Sequence, residues 1–306
     1  MSGADAKHEG DNNLTMCCAG CSIAGVDDVK LKDCDLVQCC DECQREHRPN
    51  HEKECKRRAA ELRDEILFKQ PEISHYGDCP ICCLPLSLDI HKSSLYSCCC
   101  KWICKGCNYA NMKREMNRNL EHKCPFCRYP PPKTKEEYES NLMKRVEAKD
   151  PFAMGQMGFQ RANAGDLNGA VEYFSKAAAL GDIISHYNLS VMYHDGECVE
   201  KDEKKQVYHL EEAAIGGDPN ARYNLGCVEK RRGRMDRAVK HWIIAAKLGD
   251  NHSLDKLKYW YRKGLVSKKD LATALRAHQA AVDATKSSQR DEAVRLETGR
   301  PTCVFG

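Results

Sequence analysis

The sequence AAALGD at residues 177–182 recurs as AAIGGD at 213–218 and as AAKLGD at 245–250, at offsets of 36 and 32 residues. Paired-helix solenoids repeat with periods of this size. Alanines let antiparallel helices approach closely. In the Gly-Asp step, the glycine accepts a left-handed turn and the aspartate caps the following helix. The repeat predicts an all-α solenoid whose aromatic side chains pack in a core or a groove.

Further units extend this pattern in both directions along the chain. A weaker unit begins at Asp150, and Ser267-Lys268-Lys269-Asp270 forms a capping box that opens a last helix toward Ala284. An ordinary helical bundle with chance recurrence is the alternative, which three matched units disfavour. The units resemble SEL-like repeats, relatives of the tetratricopeptide repeat. That resemblance implies a surface that recruits a protein substrate or complex subunits.

Cysteine is concentrated in the N-terminal half, where 18 of the 21 cysteines lie between Cys17 and Cys127. Disulfides and metal sites are the two explanations for such density. The first 15 residues contain no apolar signal segment, and no run of 18 apolar residues occurs anywhere. We therefore expect a chain with no membrane partner in a reducing, intracellular compartment, the cytoplasm or the nucleus, where repeated C-x-x-C pairs indicate zinc.

Charge and motif content argue against several other functions. The 48 basic and 45 acidic residues leave a net charge of +3, which gives no electrostatic case for nucleic acid as the main partner. No phosphate loop, Ser-His-Asp set or paired-carboxylate signature is evident. Hydrolytic zinc chemistry needs an open coordination position, and fully clamped cysteine sites argue against one.

Three C-x-x-C pairs stand between residues 76 and 130, with the triplet Cys98-Cys99-Cys100 between the first two pairs. Zinc takes four thiolate or imidazole ligands, so each pair supplies half of a site and the stretch predicts two sites. Spacing alone does not determine which pairs share a zinc ion. One sequential site and an interleaved arrangement both fit the positions of the pairs, which are Cys79 with Cys82, Cys104 with Cys107, and Cys124 with Cys127.

The pattern C-P-I-C, a cysteine-rich loop, C-x-x-C and C-P-F-C-R over residues 79–128 resembles a RING domain. The resemblance implies interleaved zinc sites and a ubiquitin-conjugating enzyme as partner. Ile81 and Pro125 stand at positions that contact that enzyme, and Arg128 stands where enzyme and ubiquitin are contacted together. Lys101 occupies the nearest equivalent of the usual histidine ligand. Two cysteines of the triplet are expected to substitute, with Cys98 and Cys99 assigned as ligands.

The first cysteine cluster ends in Cys43-Gln44, His51 and Cys55, and residues 16–56 resemble a degenerate MYND finger. A histidine and a cysteine four residues apart fit one helical turn and can face a single metal ion. The resemblance implies one or two further zinc ions, with ligands drawn from Cys18, Cys21, Cys34, Cys39, Cys40, Cys43, His51 and Cys55.

The predicted fold class is multidomain, with two small zinc-stabilised, loop-rich modules followed by an all-α paired-helix repeat solenoid. The predicted parts are a disordered tail (1–15), a MYND-like finger (16–56), a linking helix (57–75), a RING-like domain (76–130), a linker and helix (131–149), the capped repeats (150–285) and a flexible tail (286–306). The leading hypothesis is a RING-type ubiquitin ligase or ligase subunit that forms no covalent intermediate and has no catalytic residue of its own. The alternative is a non-catalytic zinc-finger adaptor.

Overall fold

The computed structural model describes residues 48–298, and describes side chains for residues 57–296. It divides into a unit that ends at Lys69 and a second unit that begins at Gln70. The predicted tail 1–15 and most of the MYND-like finger lie outside the described residues. Within the described part of the chain, no helix is both long and apolar enough to cross a membrane.

The first unit contributes helix α1 (Arg48–Leu67). The sequence predicts a linking helix over 57–75, and the observed helix begins earlier and ends sooner. A proline in the first helical turn loses no intrahelical hydrogen bond, so Pro49 permits the earlier start. The backbone of His51 and Cys55 is therefore helical, while their side chains lie outside the description.

The second unit opens with a small loop-rich module. A 3-10 turn (Ile90–Lys92) precedes strand β1 (Ser93–Tyr96), which pairs antiparallel with β2 (Lys101–Cys104). Helix α2 (Lys105–Asn117) follows at once, capped by Cys104. The core of this module consists largely of cysteines, with Leu86, Tyr96 and Ile103. An apolar core this small favours further cross-links as a source of stability.

The rest of the second unit is helical, as the repeats predict. Consecutive helices α4 to α11 form four pairs, and α3 precedes them. The helices are α3 (Lys135–Glu147), α4 (Pro151–Asn163), α5 (Leu167–Ala179), α6 (Ile183–Asp195), α7 (Glu203–Ile215), α8 (Pro219–Arg231), α9 (Met235–Lys247), α10 (Asn251–Arg262) and α11 (Lys268–Ala284).

The Gly-Asp steps behave as the sequence predicts. Gly181, Gly217 and Gly249 have positive φ angles of 85°, 91° and 96°. The aspartate after each glycine accepts a backbone N–H from the next helix, so the last helical turn ends and the next begins within three residues. The capping box is confirmed as well, because the Asp270 N–H donates to Ser267 Oγ at 3.0 Å.

The prediction of a flexible tail over residues 286–306 is wrong for the first part of that range. Residues Ser288–Thr298 form helix α12, which packs against α2 of the cysteine module. Gln289 donates to the Gly106 carbonyl at 3.1 Å, and Lys113 pairs with Glu292 at 3.2 Å. The partners are about 180 residues apart in sequence, so local sequence gives no sign of this docking.

Candidate metal centre

Four thiols meet between the first loop of the module and the start of α2. The sulfurs of Cys79, Cys82, Cys104 and Cys107 all lie within 4.8 Å of one another. Local backbone geometry holds both halves. The Cys83 N–H donates to the Cys79 carbonyl at 2.8 Å, and the Cys107 N–H donates to Cys104 Sγ at 3.4 Å. The helix cap and the thiol cluster are therefore one local structure.

A second group of four thiols joins the β-hairpin turn to the last C-x-x-C pair. The sulfurs of Cys98, Cys99, Cys124 and Cys127 also lie within 4.8 Å of one another. In the last pair, the Arg128 N–H donates to the Cys124 carbonyl at 3.0 Å. This tight turn directs both sulfurs of the pair to one side.

The two groups of thiols could each hold a metal ion. Tetrahedral zinc with Zn–S bonds near 2.3 Å separates its sulfurs by about 3.8 Å. The observed separations are 3.8 Å between the sulfurs of Cys82 and Cys104, and 3.8 Å between those of Cys99 and Cys124. A disulfide requires about 2.05 Å. Every cysteine in both groups is a free thiol. Donor number, chemistry and spacing thus fit a thiolate-bound zinc ion.

Burial makes the thiols of Cys99 and Cys107 hard to ionise without a compensating cation. Burial raises the pKa of Cys107 to about 12, and burial together with the nearby Cys124 raises the pKa of Cys99 to about 12. A divalent ion reverses this penalty because it binds the thiolate form.

The grouping crosses along the sequence, since the first C-x-x-C pair joins the second while the hairpin thiols, which lie between those two pairs in sequence, join the last pair. The sequential set of Cys104, Cys107, Cys124 and Cys127 is divided between the two groups. Of the triplet, Cys100 is in neither group. Its buried thiol packs with Leu142 of α3. A positive φ of 51° at Cys100 turns the chain away from the thiols before it.

One further cysteine and two histidines of this module lie outside both groups of thiols. Cys83 and His91 are exposed and belong to neither group. His122 instead contacts the carboxylate of Glu115, with 2.8 Å between His122 Nδ1 and Glu115 Oε2. The candidate MYND ligands Cys18, Cys21, Cys34, Cys39, Cys40 and Cys43 are outside the described residues, as are the side chains of His51 and Cys55.

Of the predicted contact residues for a conjugating enzyme, Ile81 is 42% exposed beside the first group of thiols. Pro125 is half-buried beside the second. Helix α12 packs on α2 and leaves this exposure of Ile81 in place. An exposed isoleucine between two cysteines is available to an apolar partner surface.

Arg128 is engaged within the module. Its guanidinium donates to Asn111 Oδ1 at 2.8 Å and to Glu115 Oε1 at 3.1 Å. Glu115 is buried. Burial would raise the pKa of its carboxyl, but hydrogen bonds from His122 and Asn111 outweigh that effect and hold the pKa below its ordinary value. A buried carboxylate needs such partners, which gives Arg128 a structural role.

The first group of thiols has an outer partner that sequence reasoning missed. Arg290 of α12 donates to Cys82 Sγ at 3.3 Å, to the Leu84 carbonyl at 3.1 Å and to the Pro85 carbonyl at 2.7 Å. A cationic donor next to a thiolate stabilises its charge and fixes its orientation. The residue stands in an ordinary charged helix far from the cysteines, so no local pattern identifies it.

Comparison with known proteins assigns the helical region. The Sel1 repeat model matches residues 153–182, 183–218 and 219–250, which correspond to the pairs α4–α5, α6–α7 and α8–α9. No RING or MYND family model was found to match the chain.

Two curated relatives share the name "DAP3-binding cell death enhancer 1". The mouse protein is 29% identical over 186 residues, which is 48% of this chain and 36% of that protein. The rat protein is 28% identical over 184 residues, covering 47% and 36%. The chain thus spans about a third of the length of these relatives.

Two solved structures are also similar. A Sel1 repeat protein from Oxalobacter formigenes is 20% identical with a TM-score of 0.43, covering 63% of this chain and 84% of that one. The protective antigen c5321 of uropathogenic Escherichia coli, described as displaying an SLR fold, is 24% identical with a TM-score of 0.39, covering 57% and 38%. On the family match and the observed helix pairs, residues 153–250 are a Sel1 repeat array, a helical scaffold for protein interaction.

Proposed function

We propose that the chain is a zinc-dependent ubiquitin ligase or ligase subunit, in which a RING-like module binds a conjugating enzyme and the Sel1 array holds a protein substrate or complex subunit. The crossed grouping of the eight thiols is the observation that carries the proposal. This is the interleaved arrangement of ligands that the RING resemblance implies. In a reducing compartment such as the cytoplasm or nucleus these thiols stay available for metal.

Zinc, when bound, supplies structural cross-links between distant parts of a module whose own apolar core is small. Cys79, Cys82, Cys104 and Cys107 would hold one ion, and the thiols of Cys98, Cys99, Cys124 and Cys127 another. The MYND-like finger would add one or two ions through its own cysteines and His51. In each site of the described module, four thiolates would occupy all the coordination positions of zinc and leave none open for water or substrate. The role of both ions would therefore be structural.

Transfer would proceed by orientation. The chain offers an exposed apolar contact in Ile81 and a fixed loop at Pro125, and the conjugating enzyme carries the thioester. Holding a mobile thioester in one reactive geometry removes an entropic part of the barrier. No nucleophile is needed on this chain. Substrate held by the array is kept at a defined distance, because the module is fastened to the array by α12 and by the His75 N–H to Gly217 carbonyl hydrogen bond of 3.1 Å.

A non-catalytic zinc-finger adaptor is the second candidate, and the geometry of Arg128 favours it. The guanidinium that would bridge enzyme and ubiquitin is already paired with buried Glu115 and with Asn111. Bridging would require those hydrogen bonds to be exchanged. In this reading Ile81 docks a protein that is not a conjugating enzyme. The curated relatives are named for binding a protein, DAP3, and we extend to this chain only the binding of a protein partner.

The deciding experiment combines the full chain, zinc-loaded, with activating enzyme, ubiquitin, ATP and a broad panel of conjugating enzymes. We expect ubiquitin chains with at least one enzyme and loss of turnover in Ile81→Ala. Ile90→Ala is the matched control, because Ile90 is 51% exposed in the same module and touches neither group of thiols. Zinc-loaded protein that is inactive with every enzyme would refute the ligase and leave the adaptor. Retained activity in Arg128→Ala would assign that residue to folding alone.

A further inference from the structure

The first helices of successive repeats line an open groove. Helices α6, α8 and α10 form its walls, with side chains of α7 and α9 at its floor, and its volume is about 890 Å³. That volume lies toward the upper end of ligand pockets, which measure roughly 300–1,000 Å³. The groove is separate from both groups of thiols, so it calls for a ligand of its own.

Positive charge dominates the groove. Its lining includes Lys230, Arg231, Lys256 and Arg262 but a single acidic residue, Asp255. That carboxylate is already paired with Lys258 at 3.1 Å. Among the described residues, none of the four cations has a salt bridge to a carboxylate. The groove is thus short of negative charge.

Aromatic rings position two of these cations. Lys230 Nζ lies 5.1 Å from the centre of the Trp260 ring, and Lys256 Nζ lies 5.8 Å from that of Tyr223. Tyr259, also in the lining, is 46% exposed. Cation–π contacts of this kind hold an ammonium group without neutralising it. A carboxylate can therefore bind the lysines while an apolar side chain packs on the rings.

The groove floor also carries a polar side chain. Gln206 is 7% exposed and lines the groove. The main chain of an extended peptide provides both a donor and an acceptor for such a group.

We infer that this groove binds an extended, acidic peptide segment of a partner protein, whose carboxylates pair with Lys230, Lys256 and Arg231 and whose apolar side chain packs on Tyr223 and Trp260. Single-stranded nucleic acid also combines negative charge with flat rings. It is disfavoured because the net charge of +3 provides no broad basic surface for phosphates. The inference rests on the proposed recruiting role of the array, and is independent of ubiquitin transfer.

The test measures fluorescence anisotropy of labelled probes with the full, zinc-loaded chain and no ubiquitin components. The probes are a short synthetic peptide alternating Asp or Glu with Leu or Phe, the same peptide with Asn and Gln in place of the acids, and an oligouridylate. We expect the acidic peptide to bind about tenfold or more tightly than its neutral counterpart, with affinity falling as salt rises.

The variant Lys230→Glu/Lys256→Glu should lose about tenfold or more in affinity for the acidic peptide. Lys269→Glu/Arg276→Glu is the matched control, because it makes the same charge change at exposed positions of α11 outside the groove and should bind like the wild type. Far-UV circular dichroism verifies that both variants fold. Equal binding of acidic and neutral peptides, unchanged binding by the groove variant, or tighter binding of oligouridylate would overturn the inference. Since no ubiquitin components are present, an inactive ligase would leave the result unaffected.

Discussion

Replacing Gly226 with alanine sets helix propensity against packing in the Sel1 array. Gly226 lies within α8, where Gly→Ala gains about 1 kcal/mol from backbone propensity. A Cβ atom at this position would lie 2.3 Å from Trp242 Nε1 and 2.7 Å from Trp242 Cδ1. Ordinary contacts between carbon atoms are about 3.5–4.0 Å. The indole would therefore have to move by roughly 1 Å.

Core contacts and a hydrogen bond oppose that movement of the indole. Trp242 is fully buried against Leu254 and Leu257, and its N–H donates to the Tyr223 carbonyl at 3.3 Å. Overpacking a filled core costs about 1–3 kcal/mol. Breaking the indole hydrogen bond in a buried site costs about 1–3 kcal/mol more. After the propensity gain, Gly226→Ala should lower the free energy of unfolding by about 1–5 kcal/mol.

The assay is urea and thermal unfolding of the full, zinc-loaded chain, followed by circular dichroism at the helical signal. Gly169→Ala is the matched control, because its Cβ would meet only the exposed side chain of Asp166, one turn away. At this position the gain in helix propensity and the loss from a weakened N-cap at Asp166 nearly cancel. We therefore expect the free energy of unfolding to change by no more than about 1 kcal/mol. A Gly226→Ala protein that unfolds at the same or higher urea concentration than wild type would refute the packing argument.

Three further predictions follow from the described unit. Cys79→Ser should lower the zinc content by one ion per chain in native mass spectrometry, whereas Cys83→Ser, which is exposed and outside both groups of thiols, should leave the count unchanged. Arg290→Gln should speed loss of one zinc ion to a chelator by about tenfold or more while loss of the second is unchanged, because Arg290 contacts only the first group; equal acceleration of both ions would contradict this. The pKa of His241 is lowered to about 3, mainly by burial and to a lesser extent by two nearby guanidinium groups. In the unfolded chain this histidine has an ordinary pKa near 6.5. Between about pH 3 and 6.5 the unfolded chain therefore binds a proton on His241 that the folded chain does not, and stability falls as pH drops through that window. Between pH 7 and pH 5 the wild type should lose about 2 kcal/mol more stability than His241→Gln, measured by urea unfolding, and equal losses would refute the assignment.

Sequence by itself determined the repeat array, because its signals are local. The Gly-Asp steps fix a left-handed turn and a helix cap within two residues, and the capping box at Ser267 begins α11 where expected. Recurring alanines then let neighbouring helices approach closely. These are short-range constraints that do not depend on distant parts of the chain, and they predicted helical repeats over residues 150–285.

The sequence also identified cysteine-rich metal-binding candidates, but not how they join. A C-x-x-C turn determines the direction of two sulfurs, whereas its partner pair depends on how the chain folds back. In the structure, the positive φ of Cys100 removes one thiol of the triplet from the second group, and the cap of α2 brings Cys104 into the first.

Only the tertiary structure decided the features that depend on residues far apart in sequence. The docking of α12, the Arg290 contact with Cys82 and the engagement of Arg128 by Glu115 join side chains whose own neighbourhoods look like ordinary charged helix or loop. The basic groove likewise combines Lys230 of α8 with Lys256 of α10. Spacing along a chain encodes turns and helix faces, but the approach of distant charges is set by packing, which brings them together after those local elements have formed.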